Sequence, residues 1–498
     1  MRTPLLSLIL GAALVAAACP PACAAAEVPS TSAEAIAVRV DPRVELVTVM
    51  ARLAGFDEYQ TPGIADYDRA VDEHFAAFRE HASIRLLRQL REDRGIGYNA
   101  PIELALAADG DTWSPAVEFS PWPGTIDRRW DAAGARQFLA AAAQFERDTR
   151  AREFFAAQQP LYDQVQAAVS RNLRERLRSD WYVARMPSRR ISGFRVVPGL
   201  LAGNNSYGAS LRYADGRELV FGILATPPHR AGEAIGYPAD AQLALLAHEF
   251  HHPYMNPWAD AHAAILLPAA ERLFRAVQPR MKALAYGEPR IMIYESLVRA
   301  NTQRYLRQHG EDAVLRRAIR EDRDKGFPWT PALAELFDSL EAGAADANGA
   351  RSRPAWDEAT ALRVAALLDD WGRDDGAKVA AEQKRLAAED VERLASGPQI
   401  VRYVPAQGAV VGADLTTLEL HFDRAMAPGL AIFGDPPEVT GKPSWDQSRR
   451  VLRIPVRVQP GASYTLMLNN EETARIKDAD GNALVPRVWN FRVKEATD

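Results

Sequence analysis

The sequence predicts an α+β protein with a mostly helical region, a small β-sheet inside that region and a C-terminal β-sandwich. Apolar residues recur three and four positions apart through most of residues 37–397, which is the period of amphipathic helices. Two short alternating segments interrupt this pattern between residues 193 and 225. After Gly397 the chain changes to short alternating runs separated by Gly, Pro, Asn and Asp, as in a β-sandwich. The length of 498 residues predicts two or more domains.

The bulk composition narrows the class of protein. The chain is 47% hydrophobic and 25% charged, which is typical of a globular protein with a substantial core. Its formal net charge is −5 and it has no basic stripe, so the sequence predicts no nucleic-acid partner. No segment beyond the N-terminal leader is apolar over the length needed to cross a bilayer, so no membrane span is predicted.

Residues 1–26 predict a secretory signal peptide. Arg2 precedes an apolar stretch, residues 5–18, and the small residues that end in Ala26 supply a cleavage site. Cleavage after Ala26 is expected, and it would place the mature protein in the periplasm or outside the cell. Lipid attachment at Cys19 is the alternative, and it would also lead to export of the protein.

Both cysteines of the chain, Cys19 and Cys23, lie inside this leader. A mature chain that starts at Glu27 therefore has no disulfide, no cysteine nucleophile and no thiolate ligand for a metal. Any metal must then be bound by His, Asp or Glu.

The helical region contains several long segments with apolar residues three and four apart. They are residues 66–92, residues 135–145, residues 149–177 with a break at Pro160, and residues 354–394. These segments predict amphipathic helices.

Two strands joined by a tight turn are predicted within this region. The runs ASLRYAD (209–215) and RELVFGILA (217–225) alternate in polarity and meet around Asp215-Gly216. An Asp-Gly pair between two such runs is a strong signal for a β-hairpin. The hairpin comes shortly before a segment that is rich in histidine.

The segment LLAHEFHH, residues 245–252, contains the pattern H-E-x-x-H at His248, Glu249 and His252. On a helix, positions four apart lie on one face, so two imidazoles can bind one zinc ion while the adjacent Glu reaches its water. At roughly 100° per residue, His251 is rotated by roughly 60° from His248 and by roughly 100° from His252. The geometry therefore predicts His248 and His252 as ligands and excludes His251.

Pro253 follows His252 directly. A proline disfavours helical geometry in the residue before it and cannot donate to the carbonyl four residues earlier, which belongs to Glu249. The helix is therefore predicted to end or kink here, with His252 in its last turn.

A catalytic zinc normally has three protein ligands. The metzincin pattern requires Gly and His three and six residues after the second histidine, but Met255 and Trp258 stand there, so that class is excluded. His262 is a possible third ligand. Glu295, in the amphipathic segment IMIYESLVRANTQRYL, is the better candidate because a Glu on a second helix packed against the first suits a zinc site. Arg299 would either pair with Glu295 within the helix or orient a ligand.

Two parts of the chain resemble known families. Residues 400–426 and the segment IKDADGNAL (476–484) resemble bacterial Ig-like domains of surface-layer type. The segments HEFHHPYMNP (248–257), YESLVRA (294–300) and VDPRVELVTVMARLAG (40–55) are similar to an uncharacterised family of bacterial exported proteins of gluzincin-like metallopeptidase type, with the motifs HEFxHxxxNP and ExLxRA.

The second resemblance implies a zincin-like metallopeptidase domain that binds Zn²⁺ through His248, His252 and Glu295 and uses Glu249 as the base. Asn256 matches the family's Asn, but no role follows for it. With the leader at 1–26, the expected domains are the metallopeptidase domain at residues 27–397 and the Ig-like domain at residues 398–498.

The expected function is an exported zinc metallopeptidase in which Glu249 takes a proton from a zinc-activated water. The group that stabilises the oxyanion is left open among Tyr254, Tyr286, Tyr294 and His262. The predicted partner is a peptide or protein, with possible envelope contact through the Ig-like domain. Two alternatives are a catalytically inactive surface-binding protein with the peptidase fold, and a zinc hydrolase of non-peptide amides.

Overall fold

The computed structural model describes residues 36–123, 125–187, 189, 191–284, 286–343, 355–470 and 473–495. The predicted signal peptide, with Cys19 and Cys23, lies outside these residues. The chain forms two compact units. Of the described residues, the first unit comprises those up to Leu267 and those within Arg290–Asp322 and Thr330–Val364. The second comprises those within Pro268–Pro289 and Arg323–Trp329 and those from Ala365 onwards.

Helices dominate the chain as far as Ser396. In order they are α1 (Pro42–Ala54), α2 (Ala65–Phe75), α3 (Ala82–Arg94), α4 (Asn99–Leu106), α5 (Ala132–Thr149), α6 (Ala151–Ala157), α7 (Gln159–Leu173), α8 (Ser179–Arg185), α9 (Ala239–Glu249), α10 (His252–Ala261), α11 (Ala263–Ala283), α12 (Pro289–Gln308), α13 (Asp312–Asp324), α14 (Thr330–Gly343), α15 (Glu358–Gly372) and α16 (Ala377–Ser396). None of the helices among the described residues is both long enough and apolar enough to span a membrane.

The strands fall into two groups. The first unit contains β1 (Ala37–Val38), β2 (Gly193–Gly199), β3 (Tyr207–Arg212) and β4 (Glu218–Ala225), and the second contains β5 (Ile400–Val404), β6 (Ala409–Val411), β7 (Thr417–Phe422), β8 (Ile432–Asp435), β9 (Glu438–Val439), β10 (Ser444–Trp445), β11 (Val451–Arg457), β12 (Ser463–Leu468) and β13 (Arg487–Val493). The α+β class that the sequence predicts is therefore confirmed.

Several predicted helical segments are divided in the structure. Residues 66–92 form α2 and α3, separated by a 3₁₀ turn at residues 76–78. The predicted break at Pro160 is confirmed, because α6 ends at Ala157 and Pro160 lies in the first turn of α7, where its missing N–H is not needed.

The sheet of the first unit has the strand order β1-β2-β4-β3. Strands β1, β2 and β4 are parallel, whereas β3 pairs antiparallel with β4 and is last in the order. The predicted hairpin is therefore confirmed, and Gly216 in its turn adopts a φ of 85°, which glycine accepts without strain. A Cβ at Gly222 of β4 would lie 2.8 Å from Leu246 and Phe250, so this glycine allows α9 to pack closely on the sheet.

A buried carboxyl on α1 holds the connection that leads from β2 to β3. Glu45 accepts a hydrogen bond from the Leu200 amide (2.9 Å) and another from the Tyr67 hydroxyl (2.8 Å). Tyr67 in turn is 2.9 Å from the Tyr162 hydroxyl. Burial is the largest influence on Glu45, and it raises the pKa of this carboxyl to about 7.

Glu45→Gln is expected to flatten the pH dependence of stability between about pH 4.5 and 7. A carboxyl whose pKa is raised by folding stabilises the fold fully below its unfolded pKa, and that stabilisation is lost as the pH rises through the folded value. The rise from 4.5 to about 7 corresponds to about 3 kcal/mol, at about 1.4 kcal/mol per pKa unit. Urea unfolding of both proteins at several pH values in this range measures the difference. Parallel stability curves for the two proteins would contradict the account.

The Ig-like part of the second unit is a β-sandwich. One sheet has the order β10-β11-β7-β5, with β9 also pairing with β11, and the other has the order β6-β13-β12-β8. Alternate residues of both sheets meet in one buried core, which includes Leu420, Ile454, Leu466 and Trp489. The alternation along β7, β11, β12 and β13 predicted these strands, and the structure confirms them.

Candidate metal centre

The histidine-rich segment contains a helix break. Helix α9 ends at Glu249, and α10 begins at His252 with Pro253 in its first turn. The predicted kink is confirmed, but the predicted position of His252 is wrong, because His252 opens the second helix and does not close the first. Phe250 and His251 keep right-handed helical backbone angles across the break. For that reason His248 and His252 still face the same side.

Three side chains converge at this break. The Nε2 atoms of His248 and His252 are 3.2 Å apart. His248 Nε2 is 3.7 Å from Oε2 of Glu295 on α12, and His252 Nε2 is 3.7 Å from the other oxygen, Oε1, of the same carboxylate. Among the described residues, these three form a group that could hold a metal ion. Their candidate ligand atoms all lie within 4.8 Å of one another.

The donor set suits zinc. Tetrahedral zinc with bonds of about 2.0–2.1 Å separates its ligand atoms by roughly 3.3 Å. The observed separation of 3.2 Å between the two imidazole nitrogens is close to this value, and each nitrogen lies 3.7 Å from a different oxygen of the Glu295 carboxylate. Two imidazole nitrogens and one carboxylate also leave a fourth position for water, as in catalytic zinc sites.

Glu249 lies beside this group with one oxygen 4.0 Å from His252 Nε2. Its side chain is buried, with 6% of the residue exposed. Burial, followed by the negative charge of Glu295, raises the pKa of Glu249 well above its usual value, and a hydrogen bond from the Gly208 backbone opposes this effect. A bound dication would favour the ionised carboxylate.

Strand β3 runs directly against the end of α9. A Cβ at Gly208 would lie 2.0 Å from the Glu249 carbonyl oxygen. That carbonyl is the one that Pro253 leaves without its usual helical donor. Glycine is therefore required at position 208, because any larger residue would push the strand away from Glu249.

A buried ion-pair network supports Glu295. Arg299 donates to Glu295 (2.8 Å) and to Asp322 (2.7 Å). Gln303 donates to the other oxygen of Asp322 (2.8 Å). The predicted pair within the helix is therefore present, and it fixes the position of the Glu295 carboxylate. The sequence did not indicate Asp322, which lies 27 residues after Glu295.

Two further histidines of the segment lie outside the group. His251 is fully buried, is 2.6 Å from the Ala247 carbonyl through Nδ1, and packs against Trp181 and Tyr182. Burial lowers the pKa of His251 to about 3. Its predicted exclusion therefore agrees with its position. His262 is 2.8 Å from the Trp258 carbonyl through Nδ1, and the group does not include it.

The tyrosines considered as oxyanion donors have different surroundings. Tyr294 donates its hydroxyl to Asp260. Tyr254 is buried, with the Arg189 guanidinium over its ring. Tyr286 belongs to the second compact unit and packs against Phe327.

A family model described as "Domain of unknown function (DUF4932)" matches residues 36–352, which is more than half of the chain. A model of the bacterial Ig-like domain matches residues 395–493 and confirms the Ig-like domain that the sequence predicts. No curated protein matches the chain.

Two solved structures show weak similarity. CopC from Methylosinus trichosporium OB3b is 19% identical, with 20% of this chain and 97% of that chain covered and a TM-score of 0.16. The S-layer protein rSbsC is 13% identical, with 53% of this chain and 38% of that chain covered and a TM-score of 0.15.

Proposed function

The chain belongs to the DUF4932 family, and on that premise we propose that it is an exported, zincin-like metallopeptidase of gluzincin type. The observation that carries the proposal is the convergence of His248, His252 and Glu295, with Glu249 alongside. Two histidines from one helix segment, a Glu from a second helix and an adjacent buried carboxyl are the components that zinc-dependent hydrolysis of an amide requires.

Each residue then has a defined task. His248 and His252 would bind zinc through Nε2, and Glu295 would bind it through a carboxylate oxygen. Zinc supplies Lewis-acid chemistry, since it polarises the scissile carbonyl and lowers the pKa of water to about 7. Glu249 would accept the proton of the attacking water and deliver it to the leaving amine nitrogen.

Strand β3 supports a peptide as the substrate. It is the last strand in its sheet, so one edge of its backbone has no partner strand among the described residues. An extended peptide can add to such an edge through main-chain hydrogen bonds. Because Gly208 of this strand lies against Glu249, a peptide bound there would pass the proposed catalytic group.

A pocket of about 230 Å³ supports a preference for apolar side chains. Its lining includes Leu224, Pro227, Ala241 and Leu245. Ala241 and Leu245 precede His248 by seven and three residues on α9, and that spacing places all three on one face of the helix. The pocket is smaller than the roughly 300–1,000 Å³ of sites for drug-sized ligands, so it suits one side chain.

Ala241→Phe is expected to fill this pocket and to reduce kcat/KM for peptides with a large apolar side chain by about 10–200-fold. Peptides with Gly or Ala at that position should be affected much less, and zinc content should not change. Ala241→Ser, which adds only a hydroxyl group, is the matched control. Equal losses for large and small side chains would show that the pocket does not select the substrate.

Digestion of a proteome-derived peptide library, read by mass spectrometry, together with metal analysis tests the proposal. About one zinc per chain and cleavage that a chelator abolishes would support it. Zinc binding without any cleavage would overturn the peptidase assignment, and it would favour a surface-binding protein or a hydrolase of non-peptide amides.

Export and envelope contact belong to the same proposal. The leader predicts a mature N-terminus at Glu27, and the bacterial Ig-like domain at residues 395–493 is a module suited to contact with the cell envelope. N-terminal sequencing of the secreted or periplasmic protein tests the first point, and co-sedimentation with isolated envelopes tests the second. An intact N-terminus, or recovery only in the supernatant, would contradict them respectively.

A further inference from the structure

The two ring nitrogens of His252 face different neighbours. Nε2 faces His248 and Glu295, at 3.2 and 3.7 Å. Nδ1 is 3.3 Å from the side-chain oxygen of Asn256, one turn later on α10. A neutral imidazole carries its proton on only one nitrogen, so the neighbour of Nδ1 determines whether Nε2 has a free lone pair.

We propose that Asn256 is a positioning residue that holds His252 in the tautomer protonated at Nδ1 and thereby keeps Nε2 available for zinc. This inference rests on the proposed function. The Asn256 oxygen accepts the Nδ1 proton and fixes the orientation of the ring. Outer partners of this kind orient metal-binding histidines and raise their basicity.

The backbone of α10 is held in place for this task. Pro257 follows Asn256 and has no N–H, so the Pro253 carbonyl lacks the donor that a helix normally provides four residues later. The Arg189 guanidinium donates to that carbonyl in its place, and it also binds the buried Glu218 of β4. The turn between His252 and Asn256 is thus fixed to the sheet although Pro257 removes one of its hydrogen bonds.

The neutral amide of Asn256 should affect the metal site differently from a carboxylate at the same position. A carboxylate at position 256 would accept the same proton, but it would add a second negative charge to the one that Glu295 contributes. A neutral partner orients His252 and leaves the full effect of the dication on the substrate carbonyl and water. Asn256 therefore favours catalysis, whereas an Asp would favour metal retention.

The test uses the full chain labelled with ¹⁵N-histidine, first without metal and then in zinc titrations against a competing chelator. In the wild type, His252 should be protonated at Nδ1. Asn256→Leu should lose this preference and bind zinc about 10–100-fold more weakly. Asn256→Asp should keep the tautomer, should bind zinc at least as tightly as the wild type and should lower kcat more than KM. Circular dichroism and urea unfolding check that the variants are folded.

The outcomes distinguish a failure of the role proposed for Asn256 from a failure of the proposed function. An unchanged tautomer and an unchanged zinc Kd in Asn256→Leu would overturn the role of Asn256 and leave the proposed function intact. A loss of affinity in Asn256→Asp equal to that in Asn256→Leu would also overturn it, because the role would then be merely structural. A wild type that has the Nδ1-protonated tautomer but binds no zinc would overturn the proposed function itself.

Discussion

Glu249→Gln is expected to bind zinc as the wild type does and to lose turnover by at least about 10²–10⁴-fold, the usual contribution of a positioned general base. The amide has nearly the same shape as the carboxylate, so it should fit the buried site beside Gly208, and its oxygen can still accept the backbone hydrogen bond. It cannot take a proton from the attacking water. Glu249→Gln should therefore keep the zinc affinity of the wild type and lose its turnover.

The measurement is kcat on the best peptide from the library, with the zinc content of the same sample. Glu73→Gln makes the same chemical change on an exposed side chain of α2, and it should leave both quantities unchanged. Retained turnover in Glu249→Gln would remove Glu249 as the base.

Glu295→Ala is expected to weaken zinc binding by more than the about 10–100-fold that loss of an outer partner costs, because it removes one of the three ligands that we propose. The same change deprives the buried Arg299 of a carboxylate partner, and breaking a buried ion pair typically costs about 3–5 kcal/mol. A loss of zinc could then follow from local unfolding alone.

Glu295→Gln separates these effects, since its side-chain oxygen can still accept from Arg299 while the negative charge is gone. Equilibrium dialysis gives the zinc stoichiometry of both variants, and urea unfolding gives their stability. Reduced zinc in a stable Glu295→Gln protein is the expected result. Unchanged stoichiometry in both variants would exclude Glu295 as the third ligand and return attention to His262.

The sequence predicted the local elements and much of the candidate centre. The spacing of His248 and His252 depends on only one helical turn, and that turn keeps its helical backbone angles even where α9 gives way to α10. Glu295 could be predicted from the sequence because a zinc site with two histidines needs a third ligand, and a carboxyl on a second amphipathic helix can supply it. The β3–β4 hairpin and the sandwich strands followed from alternation and turn residues.

The residues that sequence reasoning missed depend on tertiary contacts. Asp322 reaches Arg299 from a different helix, and Gly208 is required only because β3 passes against the Glu249 carbonyl. Asn256 lies four residues from His252 and was visible as part of a motif. Its role depends on which ring nitrogen faces the centre, and the linear sequence does not encode this.

Proline explains the error in the position of His252. Pro253 predicted an end to the helix, and the predicted end was placed after His252 because a proline restricts the residue before it. In the structure the break falls earlier, at Phe250 and His251, so that Pro253 occupies the first turn of α10. Proline is well tolerated there, since the first N–H groups of a helix have no partner within it.

Anomalous diffraction at the zinc edge, from crystals of the full chain grown with zinc, tests the central claim most directly. The account predicts one strong peak within about 2.0–2.2 Å of Nε2 of His248, Nε2 of His252 and a carboxylate oxygen of Glu295. A peak bound by other residues, or no peak between α9, α10 and α12, would contradict it.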